Sequence, residues 1–120
     1  MIENYTLTTS IGTVFTAPGN AGDLNVQSAI TTMIFCNVLS PDTTPPIDET
    51  TNTESIEVFL VKAGGTASAT TNAIIKDLAI PGGETVFFDT ERIVLGPGDS
   101  IQARATANNA IVCTVSVLPV

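Results

Sequence analysis

The sequence predicts an all-β protein folded as a single antiparallel β-sandwich of eight to nine short strands, jelly-roll or immunoglobulin-like. Three observations lead to this fold class. Thr, Val and Ile are frequent, whereas Lys, Glu, Arg and Gln, which build helix surfaces, are scarce. Apolar side chains recur with a period of two, and no stretch of ten or more residues shows a 3.6-residue period. Turn residues separate the alternating stretches at the spacing expected of a sandwich.

Each strand is expected where alternating side chains are flanked by turn residues. Leu7 and Phe15 are apolar members of the first two strands, and a longer third strand runs from Ile30 to Val38. The clearest alternation comes late in the chain, where Ala103 stands between polar neighbours. The expected strands span residues 5–9, 13–17, 30–38, 55–62, 74–80, 86–88, 92–95, 101–106 and 111–118.

Short turns join most of these strands, which favours antiparallel pairing. Residues 17–23, 63–66, 81–83 and 96–99 are rich in Gly, Pro, Asn and Asp, the residue types that turns require. No helix-length segment is available for a βαβ crossover. The whole chain, residues 1–120, is therefore expected to form one domain.

An acidic, proline-rich loop at about residues 39–54 interrupts this succession of strands and short turns. Ile47 is the one aliphatic residue between its ends. The loop is either a tolerated insertion between two strands or a segment that contacts a partner. Its prolines and acids are Pro41, Pro45 and Pro46, and Asp42, Asp48, Glu49 and Glu54.

Composition and charge exclude several classes of function. Twelve acidic residues face four basic ones, for a formal charge of -8, so no basic face for nucleic acid can form. The apolar runs are much shorter than a membrane span. The N-terminus shows no secretory signal, so synthesis in a cytosol is expected.

The sequence also predicts that the chain is not an enzyme and binds no cofactor. It contains no His, which removes histidine bases and ligands. The acid pairs Asp48/Glu49 and Asp89/Glu91 lack surroundings that would separate their pKa values. Loop acids and Asn could bind calcium, but no Asp-x-Asp-x-Asp-Gly pattern occurs, so no metal site is expected.

The two cysteines, Cys36 and Cys113, form no Cys-x-x-Cys pair. Reduced, buried thiols are expected in a cytosolic chain, and a bridge between neighbouring strands is the alternative.

Lys is rare, and outward strand positions are mostly Thr, Ser, Gln, Asn and Val. Such strands suit a protein packed into a larger assembly, the alternative being a sandwich kept dispersed by its negative charge.

The phrase from Arg92 to Ala103 resembles one found in small β-sandwich virion proteins of tailed phages, where a strand ending in Val-Leu precedes a Gly-Asp turn and Ile-x-Ala. Residues 13–18, 30–37 and 115–118 resemble three further elements of that family, so the likeness extends over most of the chain. The matching residues are turn and core positions, so the resemblance implies the fold and a place in the virion more than a particular role. The loop at 39–54 is not part of the family pattern.

This resemblance implies a structural virion protein that is assembled in the host cytoplasm. The role that it favours is that of a capsid decoration (cement) protein bound to the outside of the head. Its expected partners are the major capsid protein or other virion subunits, with further copies of itself in a homo-oligomer. A tail, neck or baseplate accessory protein is the first alternative, and a host-surface or carbohydrate-binding module is the second. The residues expected to contact partners are Pro41, Asp42, Pro45, Pro46, Ile47, Asp48 and Glu49, with Pro18, Gly19 and Asn20 as a second patch.

Overall fold

The computed structural model describes residues 1–20, 22, 23, 25–88 and 93–119. Within these residues the protein is all-β, as the sequence predicts. Ala21 of the 17–23 turn, the acid pair Asp89/Glu91 and the start of the expected strand at Arg92 lie outside the described residues. The strands are β1 (Ile2–Thr6), β2 (Gly12–Thr16), β3 (Ser28–Asn37), β4 (Glu54–Val61), β5 (Ala73–Ile80), β6 (Thr85–Phe88), β7 (Ile93–Leu95), β8 (Ser100–Ala105) and β9 (Ile111–Pro119).

The strands form two antiparallel sheets with the connectivity of a jelly roll. The first sheet has the order β1-β9-β3-β6, with β7 continuing the edge along β3, and the second has the order β2-β8-β4-β5. The pairs are nested: β1 with β9, β2 with β8, β3 with β6 and β7, and β4 with β5. An immunoglobulin sandwich places its first two strands in one sheet, whereas β1 and β2 lie in different sheets here.

The core lies between the inner faces of the two sheets. Phe35 on β3 and Ile101 on β8 are completely buried, as are most inward-pointing residues of β4 and β9. A β-bulge between Ile30 and Thr32 shifts the alternation of β3 by one residue. Ile30 therefore faces the core, but beyond the bulge Met33 and Phe35 face it. Strict alternation along this strand predicts that Ile30 shares a face with Ile34 and Cys36, and this prediction is wrong because of the bulge.

Tyr5 and Gly12 bring the two sheets together at the β1–β2 edge. The Tyr5 phenol lies so close over Gly12 that a Cβ atom at that position would collide with its hydroxyl. Glycine is thus required here for close approach.

The cysteines occupy opposite sides of the first sheet. Cys113 is buried in the core, where burial raises the pKa of its thiol to about 12. Cys36 is only half-buried and points outward, so the expectation of a buried thiol is wrong for it. Although β3 and β9 are neighbours, Cys113 lies opposite Phe35, and Cys36 lies opposite Val112. The two thiols therefore point to different faces and remain unbridged.

Candidate partner-binding site

The predicted partner loop joins β3 to β4 at one end of the sandwich. The second predicted patch, residues 18–20, belongs to the connection between β2 and β3. The 10 residues of β3 lie between the two segments, which separates them by about 30 Å. The structure thus does not bring the two predicted patches together, although the described residues of both are largely exposed.

Asn37, the last residue of β3, anchors the loop to the sandwich. Its side chain is 1% exposed. The Nδ2 group donates to the carbonyl oxygens of Asn52 and Ile80, each at 2.8 Å, and Oδ1 accepts from the Leu39 amide at 3.0 Å. One buried amide therefore ties both ends of the loop to the end of β5.

Two aspartates hold the loop in shape from within. Asp42 accepts hydrogen bonds from the Thr44 amide (3.0 Å) and the Asp48 amide (2.9 Å). Asp48 accepts from the Thr50 amide at 2.9 Å and from the Thr50 hydroxyl at 2.6 Å. Across the loop, Asn52 Nδ2 donates to the Ser40 carbonyl at 2.8 Å. The loop is therefore an ordered surface structure built from its own side chains.

These bonds lower the pKa of both carboxyl groups below the ordinary value of 3.8. For Asp42 the cause is the pair of backbone amides, chiefly that of Asp48, and for Asp48 it is the Thr50 hydroxyl and amide. A depressed pKa means that the bonds are fully present above pH 3.8 and are lost as the pH falls through the lowered values. We therefore expect the amide chemical shifts of Thr44 and Thr50 to titrate with midpoints below 3.8. Midpoints at or above 3.8 would contradict the bonding described.

The loop presents Ile47 at the surface instead of folding it onto the sandwich. This side chain is 59% exposed. It borders a cleft of about 370 Å³ between the loop and the turn that joins β5 to β6. The cleft is lined by Pro41, Asp42, Ile47, Asp48, Glu49, Thr51, Pro81, Gly82 and Glu84.

Four carboxylates and three apolar side chains meet around this cleft, so it combines negative charge with apolar walls. Glu84 comes from the β5–β6 turn and was missed by sequence reasoning. The Glu84 carbonyl accepts from the Asn37 amide at 2.9 Å, which fixes the turn beside the loop. Nothing in the local sequence signals this neighbour, because the two segments meet only through sheet pairing. Lys or Arg, with an apolar stem and a cationic head, has the chemistry that such a cleft accepts.

The described strands of the two sheets differ sharply in the charged residues that they carry. Across the second sheet, Arg104 on β8 donates to Glu57 on β4 at 2.8 Å, and Lys76 on β5 lies 3.9 Å from the same carboxylate. In the first sheet, Glu3 is the one charged residue of its five strands. Glu3 lies opposite the core-facing Val115 and so points away from the outward surface.

Two further features of the described part of the chain bear on function. No group of three or more His, Cys, Asp and Glu side chains there is arranged to hold a metal ion. The same residues contain no helix that is long and apolar enough to span a membrane.

The fold and the site together define a jelly-roll sandwich with an ordered acidic loop and one sheet whose described outward strand residues are uncharged. No protein-family model matches the chain, and no curated protein matches it in sequence. Among solved structures it is similar to a chain in the structure of infectious bursal disease virus Gx strain, with a TM-score of 0.42 and 14% sequence identity. The similarity covers 98% of this chain and 29% of the viral one.

Proposed function

We propose that this protein is a non-enzymatic structural protein of a tailed-phage virion, and that it decorates the outside of the capsid. The observation that carries the proposal is the ordered loop, which holds Ile47 in solvent beside an acidic cleft. Jelly rolls occur in viral capsid proteins and in lectins, so the fold alone does not choose a function. The tailed-phage setting is supported by the resemblance of residues 92–103 to virion proteins.

The proposed contact is a basic and partly apolar site on a capsid subunit. Ile47 would enter an apolar pocket as an anchor, while a cationic side chain of the subunit enters the cleft. The bonds through Asp42, Asp48 and Asn37 hold the loop in one shape before binding. Less conformational entropy is therefore lost when the complex forms.

Substituting the anchor residue tests this contact. We expect Ile47→Ser to weaken binding to heads by about 10-fold or more, because a buried isoleucine contributes roughly 1.5–3 kcal/mol. The matched control is Ile74→Ser, since Ile74 is 44% exposed on β5 in the other sheet. Binding is measured by co-sedimentation with heads of the encoding phage that lack this protein.

Salt provides a second measurement on the same heads, since raising the ionic strength screens the carboxylates of the cleft and should weaken wild-type binding. Equal binding of Ile47→Ser and wild-type protein would contradict the role of the loop. Absence of wild-type protein from every particle fraction would contradict the proposed function.

Copy number and ligand binding separate the proposal from its alternatives. Hundreds of copies per particle are expected of a head decoration protein, whereas about six or twelve indicate a tail or neck component. Binding of the isolated chain to a glycan array would favour a host-surface module. Sugar sites usually stack aromatic rings, and this chain has no Trp and one Tyr.

A further inference from the structure

The outward surface of the first sheet is partly apolar, and its described strand residues are uncharged. One row crosses four strands: Phe87 on β6 lies opposite Ile34 on β3, which lies opposite Thr114 on β9, which lies opposite Asn4 on β1. Phe87 is 61% exposed, and Ile2, Val94 and Leu118 on the same surface are each about half exposed or more. In a chain with 12 acidic residues, the outward-pointing residues of the described strands of this sheet carry no charge.

We propose that this uncharged surface is where a second copy of the chain binds, so that two first sheets pack face to face. The argument rests first on charge. Two copies that each carry a formal charge of -8 repel one another. The loop end would set carboxylates against carboxylates, whereas contact between the two first sheets brings together outward strand residues that, in the described part of the chain, include no acid. A basic partner, in contrast, is attracted most strongly to the acidic end.

The size of the surface also fits a pair of copies. The strands of this sheet have 5 residues in β1, 9 in β9, 10 in β3, 4 in β6 and 3 in β7. At about 3.3 Å per residue and about 4.8 Å between strands they cover roughly 500 Å², so two copies would bury about 1,000 Å² in projection. This value is close to the roughly 1,000 Å² that marks a specific interface and lies below the range of about 1,200–2,000 Å² for stable ones. A two-fold axis would place the same surface of each copy in contact. A weak, concentration-dependent dimer is therefore expected.

A charge placed on this surface should break the dimer. Sedimentation velocity of the isolated chain, from about 1 to 500 µM at neutral pH, should show the wild-type protein shifting from monomer to dimer. We expect Phe87→Glu to raise the dissociation constant by about tenfold or more, because each copy then brings a carboxylate into the contact. The matched control, Ile74→Glu on the second sheet, should dimerise like wild type. Circular dichroism checks that both variants keep the fold.

Cys36 supplies an independent probe that needs no substitution. It is half-buried on the same surface, in the row next to Phe87, while Cys113 is buried in the core. Alkylation of Cys36 should slow as protein concentration rises, and Cys113 should stay unmodified throughout. Mass spectrometry of the digested chain assigns the modified residue.

Several outcomes would overturn the inference. They are a wild-type chain that stays monomeric to 500 µM, a Phe87→Glu dimer as tight as wild type, or Cys36 labelling that does not depend on concentration. A monomeric wild type whose Phe87→Glu variant fails to bind heads would assign the surface to a capsid subunit instead. Dimerisation is measured without particles, so its failure is distinguishable from failure of the proposed function.

Discussion

We expect the Asn37→Leu variant to lose about 2–4 kcal/mol of its free energy of unfolding and to loosen the loop between β3 and β4. Leucine has the same branched arrangement of four side-chain heavy atoms as asparagine, but it is larger and makes none of the three hydrogen bonds. The Ile80 carbonyl and the Leu39 amide would lose their side-chain partner, and the Asn52 carbonyl would lose the bond that closes the loop. Each lost bond contributes about 1 kcal/mol, and buried groups left without a partner add to this.

Urea unfolding followed by circular dichroism measures this loss, since the chain has no Trp to report by fluorescence. Cleavage after Glu49 by a glutamate-specific protease reports on the loop itself and should become faster in the variant. Asn108→Leu is the matched control, because the Asn108 side chain is exposed and accepts one bond, from the Thr9 amide at 2.9 Å. If the two variants unfold alike, Asn37 does not have the anchoring role described.

The Phe35→Ala variant should be destabilised most, by about 3–5 kcal/mol. Phe35 on β3 is 0% exposed, and its ring meets that of Phe88 edge to face, with centroids 5.9 Å apart. Truncation removes buried apolar area and leaves a cavity that the paired strands on either side cannot close. Because small domains are stable by only about 5–15 kcal/mol, the variant should melt far below wild type.

The control for this prediction is another phenylalanine in the same sheet. Phe87, on the neighbouring β6, is 61% exposed, so Phe87→Ala should change the unfolding free energy by at most about 0.5 kcal/mol. Both variants are compared at low protein concentration, where self-association does not contribute. Similar losses at the two positions would contradict the assignment of Phe35 to the core and Phe87 to the surface.

The strands could be predicted from the sequence because period-two alternation and turn residues are local signals. All nine expected strands overlap strands of the structure, and their ends differ by a few residues. The inward face of β3 was not predictable, since the bulge at Ile30 and Thr32 depends on pairing with β9. The choice of a jelly roll over an immunoglobulin sandwich also depends on which distant strands pair.

Of the candidate site, only the loop could be predicted from the sequence. Prolines, acids and an isolated aliphatic residue identified the segment around Ile47 as exposed. Its order could not be predicted, because it depends on Asn37 reaching the Ile80 carbonyl, 43 positions away in the chain. The contribution of Glu84 to the cleft and the surface of uncharged strand residues around Phe87 were missed for the same reason. Both arise when strands distant in sequence become neighbours.

The sequence by itself determined an all-β chain with little charge on its strands, a strongly negative total and an exposed acidic loop. These properties follow from residue types and their local spacing, which act before the chain folds. The tertiary structure alone decided which face of each strand is buried, which carboxylates surround Ile47, and that the outward residues of β1, β3, β6 and β9 form one neutral surface. Strand pairing sets those relations, since a register shift of one residue exchanges the two faces of a strand.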